Sequence, residues 1–286
     1  MKIGVNTWVW VSPLTVEALA ELAPKVAGMG FDSIEVPVEG TADLDYAAGA
    51  QIIRDHGLAV SLTAAMGPDR DLIHEDDAIQ KNALAYIRHC IDAITTLGGT
   101  VVAGPIYSSV GRTWQQSPEE RAADLDTLVK HLKDLAQYAE DKGVVLCLEP
   151  LNRFETSFIN IHTQAIEVID RVDSPACKIL LDTFHMNIEE KSLGAAIRAT
   201  GSRLGHFHAC ENDRGAPGSG NVTWDEVAAA LRVVNYDGLV VIESFTDKVK
   251  SIARAAAIWR SFEASQDDLA KNGLTFLKKL LAANQA

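Results

Sequence analysis

The stretch DKGVVLCLE, from Asp141 to Glu149, places a helix end directly before a buried strand. Gly143 is a plausible C-terminal cap for the preceding helix, and the apolar run VVLCL that follows it is typical of a parallel strand buried on both faces. The same pattern recurs in GMGFDSIEV, DHGLAVSL, TLGGTVVAG and NYDGLVVIE. This repetition predicts a chain built from successive strand–helix units.

Eight strands are predicted along the chain. Their ranges are 2–8, 33–38, 59–65, 100–106, 144–149, 178–182, 204–209 and 239–244. Helical patterns fill the intervals, and capping boxes at Ser117–Glu120 and Thr223–Glu226 mark two helix starts. Eight such units in 286 residues fit one α/β domain, a single (β/α)8 TIM barrel over residues 1–286. No linker divides the chain, and no G-x-G-x-x-G motif supports a dinucleotide fold.

The composition limits the partners and the compartment. A net charge of −13 argues against a nucleic-acid backbone or an anionic membrane as the main partner. No run approaches the roughly 18 apolar residues of a membrane span, and the N-terminus MKIGVNTWVWVSPLT is a poor signal peptide. The cysteines form no C-x-x-C motif, which favours reduced core thiols in a cytoplasmic protein. They are Cys90, Cys147, Cys177 and Cys210.

Polar side chains stand at the ends of four consecutive predicted strands. Glu149 ends the fifth strand and Asp182 ends the sixth. His208 lies near the end of the seventh strand and Glu243 near the end of the eighth. Because TIM barrels place their active sites at the carboxyl ends of the strands, these four side chains should converge on one rim. Three carboxylates so close would repel one another unless a cation compensates them, and this donor set suits Mn²⁺, Co²⁺ or Mg²⁺ better than zinc.

Each of these residues alone has an ordinary structural explanation. A single glutamate at a strand end is usually a loop residue, and a single histidine on an apolar strand is usually a hydrogen-bonded core residue. Four of them on consecutive strands favour a functional site. His206, two residues before His208 on the same face of the strand, is expected to be a satisfied core histidine or a partner of the ligands.

Four segments carry a resemblance to a known family. They are EPLNRFETSFIN (149–160), LDTFHMNIEE (181–190), HACENDRGAPGSG (208–220) and IESF (242–245). These segments resemble the ketose 3-epimerases, the D-tagatose/D-allulose (psicose) 3-epimerase family of the xylose isomerase-like barrels. The C-terminal half matches closely, whereas the N-terminal half matches in strand–helix layout more than in motif. The resemblance implies a metal-dependent epimerase of free ketoses that assembles as a homodimer or homotetramer.

The resemblance also implies roles for individual residues. The positions that match the family's metal ligands are Glu149, Asp182, His208 and Glu243, with Mn²⁺ favoured over Co²⁺ or Mg²⁺. Glu149 and Glu243 also match its catalytic acid–base pair. The positions that match its substrate contacts are Glu155, His185 and Arg214, with Arg214 expected at the mouth of the pocket. Asn6 and Trp8 stand where other members often have Phe or Tyr, which leaves open the choice among D-tagatose, D-fructose, D-allulose and L-ribulose.

The chemistry explains why such residues are needed. Epimerisation at C3 removes the proton next to the C2 carbonyl and returns one to the opposite face, so it needs two acid–base groups and a cation that stabilises the enediolate. Glu149 and Glu243 are expected to approach the cation from opposite sides. The segment RGAPGSGN (214–221) could cradle a phosphate, but a turn that needs glycine is favoured, and hence a free sugar.

Other functions stay open on the sequence alone. An aldose–ketose or hydroxypyruvate-type isomerase would use the same glutamates to move a proton between C1 and C2, although NRFE, DTFH and NDRG favour the epimerase. An inosose dehydratase-like lyase would release water. An endonuclease IV-like phosphodiesterase would need more histidine ligands and a basic face. A non-catalytic sugar-binding protein would not require two bases.

Overall fold

Eight parallel strands close into a barrel in the computed structural model, which describes residues 1–282. Each strand pairs with the next along the chain, and the last pairs with the first. The strands are β1 (Lys2–Asn6), β2 (Ser33–Val38), β3 (Ala59–Ala64), β4 (Val101–Gly104), β5 (Val145–Leu148), β6 (Cys177–Asp182), β7 (Leu204–Ala209) and β8 (Leu239–Ile242). The predicted (β/α)8 TIM barrel is confirmed.

Helices surround this barrel. They are α1 (Val16–Met29), α2 (Tyr46–Asp55), α3 (Asp77–Leu97), α4 (Pro118–Glu140), α5 (His162–Val172), α6 (Thr183–Glu189), α7 (Leu193–Thr200), α8 (Trp224–Val233), α9 (Lys250–Ala255) and α10 (Gln266–Ala282). Each long helix turns one apolar face to the sheet. In α3, for example, Ile87, Ile91 and Ile94 are fully buried at the spacing of one helix face. Within residues 1–282, no helix has both the length and the apolar character needed to cross a membrane.

One of the two predicted capping boxes forms. Ser117 Oγ accepts a hydrogen bond from Glu120 N (3.2 Å), and Glu120 Oε2 accepts one from Ser117 N (2.7 Å). The second box is wrong, because the Thr223 side chain makes no hydrogen bond to the backbone of α8. Its hydroxyl donates to Glu226 Oε2 (3.1 Å), and Glu226 also accepts from Ser192, the N-cap residue of α7. The Glu226 carboxylate is therefore bonded to the N-cap residue of α7 and to the Thr223 hydroxyl, and the capping box does not form.

The ends of several strands fall short of their predicted limits in a way that matters for function. The predicted fifth strand included Glu149 and the predicted eighth included Glu243, but β5 ends at Leu148 and β8 ends at Ile242. Both glutamates therefore lie just beyond the sheet, where the chain turns over the carboxyl end of the barrel. The four cysteines are free and buried, as the sequence predicted.

Close packing between α3, β3 and β4 predicts a clear stability difference between two glycines. A Cβ on Gly99 would lie 2.4 Å from the Val60 carbonyl oxygen, a backbone atom that cannot move without shifting β3. We expect Gly99→Ala to lower the free energy of unfolding by about 1–3 kcal/mol. Gly28 in α1 has no atom within 4 Å of the added methyl group, so Gly28→Ala should raise stability by up to about 1 kcal/mol. Urea unfolding of both variants measures this, and equal stability would contradict it.

Candidate active site

The four predicted ligand residues meet at the carboxyl end of the barrel. Their ligand atoms all lie within 4.8 Å of one another. These residues are Glu149, Asp182, His208 and Glu243, and all four are buried. Asp182 ends β6 and pairs in register with His208 on β7, whereas the two glutamates follow β5 and β8 directly. We call these four residues the ligand cluster.

The ligand cluster contains polar atoms that no described residue satisfies. Glu149 Oε1 and both ring nitrogens of His208 are buried and have no hydrogen-bond partner among the described residues. His208 Nδ1 lies 4.0 Å from Glu149 Oε1 and 3.5 Å from Glu243 Oε1. Buried polar groups without a partner are costly, and such groups are commonly satisfied by a bound ion or water. Three carboxylates and one imidazole are suitable donors for a divalent cation, so the cluster fits such an ion.

Arg214 reaches into the ligand cluster instead of standing at the mouth of the pocket. Its Nη1 lies 2.8 Å from Asp182 Oδ2 and 2.9 Å from Glu243 Oε2. The guanidinium group stacks on Phe184, with its Cζ 3.9 Å from the ring centroid. Only 5% of the residue is exposed. The expected position of Arg214 at the mouth of the pocket is therefore wrong, because two buried carboxylates attract its guanidinium group into the barrel.

The two glutamates of the expected acid–base pair have opposite pKa shifts. Burial and the nearby Glu243 carboxylate raise the pKa of Glu149 well above its ordinary value. Burial opposes ionisation of Glu243 too, but attraction to His208 and Arg214 outweighs it and lowers the pKa of Glu243. The pKa of His208 is raised well above its usual value, because the Glu35 and Glu243 carboxylates overcome the effect of burial. Similar carboxyl groups are thus made chemically unequal by their surroundings.

The three predicted substrate contacts lie on the same cavity as the two glutamates. This cavity has a volume of about 670 Å³ and is lined by Glu155, His185 and Arg214 among others. His185 Nδ1 accepts a hydrogen bond from Asn152 N (3.0 Å), and burial lowers the pKa of His185. Its Nε2 lies 3.2 Å from Arg214 Nη2 and 3.8 Å from Glu149 Oε1.

Asp182 is oriented by groups other than His185. Its Oδ1 accepts a hydrogen bond from Phe184 N (2.7 Å), and its Oδ2 is paired with Arg214. Two roles are possible for His185: it could orient Asp182, or it could contact a sugar hydroxyl. Because other groups hold Asp182, and because His185 Nε2 lies 3.8 Å from Glu149 Oε1 beside the cavity, the described contacts favour the second role.

Sequence reasoning missed a buried glutamate beneath the ligand cluster. Glu35 on β2 is fully buried, and its Oε2 accepts hydrogen bonds from His206 Nε2 (2.7 Å) and Ser61 Oγ (2.8 Å). Its Oε1 accepts from Asn6 Nδ2 (3.0 Å) and lies 2.9 Å from His208 Nε2. His206 is thus a core histidine bonded to Glu35, as the sequence predicted, although its Nδ1 has no partner among the described residues.

Glu35 explains how His208 is presented. With Nε2 against the Glu35 carboxylate, the ring turns Nδ1 toward Glu149 and Glu243. Carboxylate partners of this kind fix the orientation of a metal-binding histidine and raise its basicity. The signal in the sequence was a glutamate inside the apolar run SIEVPV, where an unpaired carboxylate would be costly.

Comparison with known proteins agrees with this geometry. Residues 23–280 match the xylose isomerase-like TIM barrel family. The chain is 35% identical to D-psicose 3-epimerase of Agrobacterium fabrum, over 98% of this chain and 99% of that one. It is 30% identical to L-ribulose 3-epimerase of Methylomonas sp., over 98% and 97% of the two chains. The crystal structure of the Methylomonas D-allulose 3-epimerase in complex with D-allulose has a TM-score of 0.91 at 30% identity, over 98% of this chain and 96% of that one.

The chain therefore belongs to the xylose isomerase-like TIM barrel family. Its place there is among the ketose 3-epimerases, so it is an enzyme of the carbohydrate isomerase class.

The raised pKa of His208 predicts that acid competes with metal. Nδ1 must lose its proton to ligate a cation, so the rise in unfolding midpoint caused by Mn²⁺ should be larger near about pH 8 than near about pH 5.5. Without metal, stability should instead fall as the pH rises. A histidine whose pKa is raised by folding stabilises the native state fully at pH values below the ordinary histidine pKa, and this stabilisation is lost as the pH rises through the raised pKa. Differential scanning fluorimetry of chelator-treated protein, with and without MnCl₂, measures both trends. A metal-induced shift that is independent of pH would contradict this prediction.

Proposed function

We propose that the protein is a divalent-metal-dependent 3-epimerase of free ketoses, with residues 1–286 as one catalytic domain. The observation that carries the proposal is the placement of Glu149 and Glu243 on one cavity, at the ends of strands three positions apart around the barrel. Two carboxyl groups that approach one carbon from different sides suit removal of a proton from one face and its return to the other. A simple sugar-binding site would not need them.

In this proposal the two glutamates exchange roles with the direction of reaction. The group that removes the C3 proton of one epimer returns a proton when the other epimer reacts. At the start of the reaction, one of the two carboxyl groups must therefore be protonated and the other ionised. The protonated group is the one on the face of C3 to which the proton will be delivered. Before a cation binds, the surroundings of the two groups are unequal: burial and Glu243 favour the protonated form of Glu149, whereas His208 and Arg214 favour the ionised form of Glu243.

The metal-binding part of the proposal assigns the ligand cluster to Mn²⁺ in preference to Co²⁺ or Mg²⁺. Glu149, Asp182, His208 and Glu243 would hold the ion, and it would supply Lewis-acid polarisation of the carbonyl next to C3. Arg214, already fixed between Asp182 and Glu243, would donate to oxygens of the substrate at the reacting carbons.

His185 and Glu155 would bind substrate hydroxyl groups. His185 offers its Nε2 on the cavity side, and Glu155 offers carboxylate oxygens as acceptors. Glu155 is held by Asn152, whose Nδ2 donates to its Oε1 at 2.8 Å. Burial raises the pKa of Glu155 even though Arg214 acts in the opposite direction.

The loop after β7 supports a free sugar instead of a phosphorylated one. Its backbone amides already have an acceptor inside the protein, because Glu211 Oε2 accepts from Gly218 N (2.8 Å) and Glu211 Oε1 accepts from Val222 N (2.9 Å). Glu211 is fully buried. A carboxylate in this position repels a phosphate and occupies the N–H groups that would bind it. The candidate substrates are therefore D-tagatose, D-fructose, D-allulose and L-ribulose.

The proposal also includes the setting of the enzyme. We infer a homodimer or homotetramer from the family resemblance and a cytoplasmic location from the free, buried cysteines. The net charge of −13 argues against a nucleic-acid or membrane partner.

Incubation with Mn²⁺ and each ketose in D₂O, followed by NMR, tests the reaction. We expect deuterium at C3 together with the C3 epimer. Glu149→Gln and Glu243→Gln should each lower the rate by about 10²–10⁴-fold, because each removes one acid–base group. Glu140→Gln, at the exposed end of α4, is the matched control and should react like the unaltered enzyme.

Two outcomes would overturn the proposal. Deuterium at C1 with formation of an aldose would identify an isomerase. Release of water with a new unsaturated or deoxygenated product would identify a lyase.

A further inference from the structure

Aromatic and aliphatic side chains form one wall of the cavity beyond Arg214. Phe245 lies next to the guanidinium group, with the Arg214 Cζ 5.0 Å from its ring centroid. The Trp8 ring packs on Phe245 at a centroid distance of 5.4 Å. Trp8, Phe245 and Ile252 all line the cavity and belong to one hydrophobic cluster, separate from the main core. Trp8 is thus one ring further than Phe245 from the ligand cluster.

The Trp8 side chain is held by a carboxylate at the end of β2. Its Nε1 donates to Glu39 Oε1 at 2.9 Å. The same carboxylate accepts from Ser12 Oγ, at 2.7 Å to Oε1 and 2.9 Å to Oε2. The Glu39 carbonyl oxygen in turn accepts from Arg70 Nη1 at 2.8 Å. Glu39 therefore ties together the loops that follow β1, β2 and β3.

The backbone of Trp8 is tied separately to the loop after β8. Its carbonyl oxygen accepts a hydrogen bond from Thr246 N at 2.9 Å, directly after Phe245. Removing the Glu39 carboxylate would leave this backbone contact in place and would remove only the hydrogen bonds from the indole N–H and the Ser12 hydroxyl. The side-chain contact is thus separable from the fold by substitution.

We propose that Glu39 is a positioning residue that fixes Trp8 as the wall facing the carbons of the ketose beyond C3, and so sets selectivity for chain length. The inference rests on the proposed function. When C2 and C3 lie at the ligand cluster, the remaining carbons extend along the cavity past Phe245. A ketohexose has one more carbon in that direction than a ketopentose, so it depends more on Trp8. Because the indole N–H is taken by Glu39, the ring offers only carbon surface to the sugar.

Kinetics with sugars of two lengths tests the proposal. We expect Glu39→Ala to raise KM for D-tagatose and D-fructose by about three- to tenfold, the loss expected for one hydrogen bond, with kcat within about twofold. The rise for L-ribulose should be smaller. Glu39→Gln keeps an acceptor for the Trp8 N–H and should behave like the unaltered enzyme. Ser12→Ala, which removes the other donor but keeps the bond between Glu39 and Trp8, is the matched control.

Two kinetic outcomes would overturn the proposal. An equal rise in KM for ketopentose and ketohexose would show that Trp8 does not sense chain length. An equal fall in kcat for both would show that Trp8 acts through Phe245 on Arg214, not as a wall of the pocket. If Glu39→Ala does not fold, Trp8→Phe, which removes the N–H and shortens the wall, should give the same ketohexose-selective rise in KM, and its absence would overturn the proposal as well.

Fluorine NMR tests the contact without turnover. In protein labelled with 5-fluorotryptophan, the Trp8 resonance is assigned by its loss in Trp8→Phe. It should shift and broaden in Glu39→Ala but not in Glu39→Gln, and an unchanged resonance in Glu39→Ala would overturn the role of Glu39. This measurement needs no substrate, so it separates a failure of the positioning role from a failure of the proposed reaction.

Discussion

The compensation of buried carboxylates at one end of the barrel is the constraint on which the rest of the site depends. Glu35, Glu149, Asp182 and Glu243 are all at most 4% exposed. Each would be costly without a partner. His208 stands between them, with Nε2 against Glu35 and Nδ1 toward Glu149 and Glu243, while Arg214 pairs with Asp182 and Glu243. His208 and Arg214 thus compensate these carboxylates, and the cluster offers oxygen atoms and, once His208 Nδ1 is deprotonated, a nitrogen atom that a divalent ion would satisfy.

The sequence revealed those parts of the site that depend on local pattern and barrel topology. The starts of the strands follow from apolar runs preceded by glycine, and closing eight strands in order brings Glu149, Asp182, His208 and Glu243 to one rim. The same logic does not show which distant side chains pair inside the barrel. His206 and Glu35 are 171 residues apart in sequence, and no periodicity reports that contact. The failure of the Thr223 capping box has a similar cause, because Ser192, the N-cap residue of α7, donates a hydrogen bond to the Glu226 carboxylate.

Arg214 shows how charge can override a position expected from the loop sequence. NDRG resembles a solvated turn, and Arg214 adopts a positive φ of 68° there. This conformation is uncommon for a residue with a side chain, but it lets the guanidinium group enter the barrel between Phe184 and Phe245. The glycines around it permit the turn, and buried Glu211 ties its amides down. The loop is thus shaped by the protein's own charges, which leaves little room for an anionic group from a ligand.

In the proposed function, the residues that carry out the reaction lie at the strand ends, and the residues that select the substrate lie on the loops beyond them. The proposed acid–base and ligand groups lie at or directly after strand ends, where the sheet fixes them and where Glu35 contacts His208. The residues proposed to face the rest of the sugar lie on the loops after β1, β2, β3 and β8, and the contacts of Glu39 with Trp8, Ser12 and Arg70 join the first three of these loops. Loops tolerate change better than buried strands. Substitutions along this outer layer can therefore change the preferred ketose while the four ligands and Glu35 keep the same geometry.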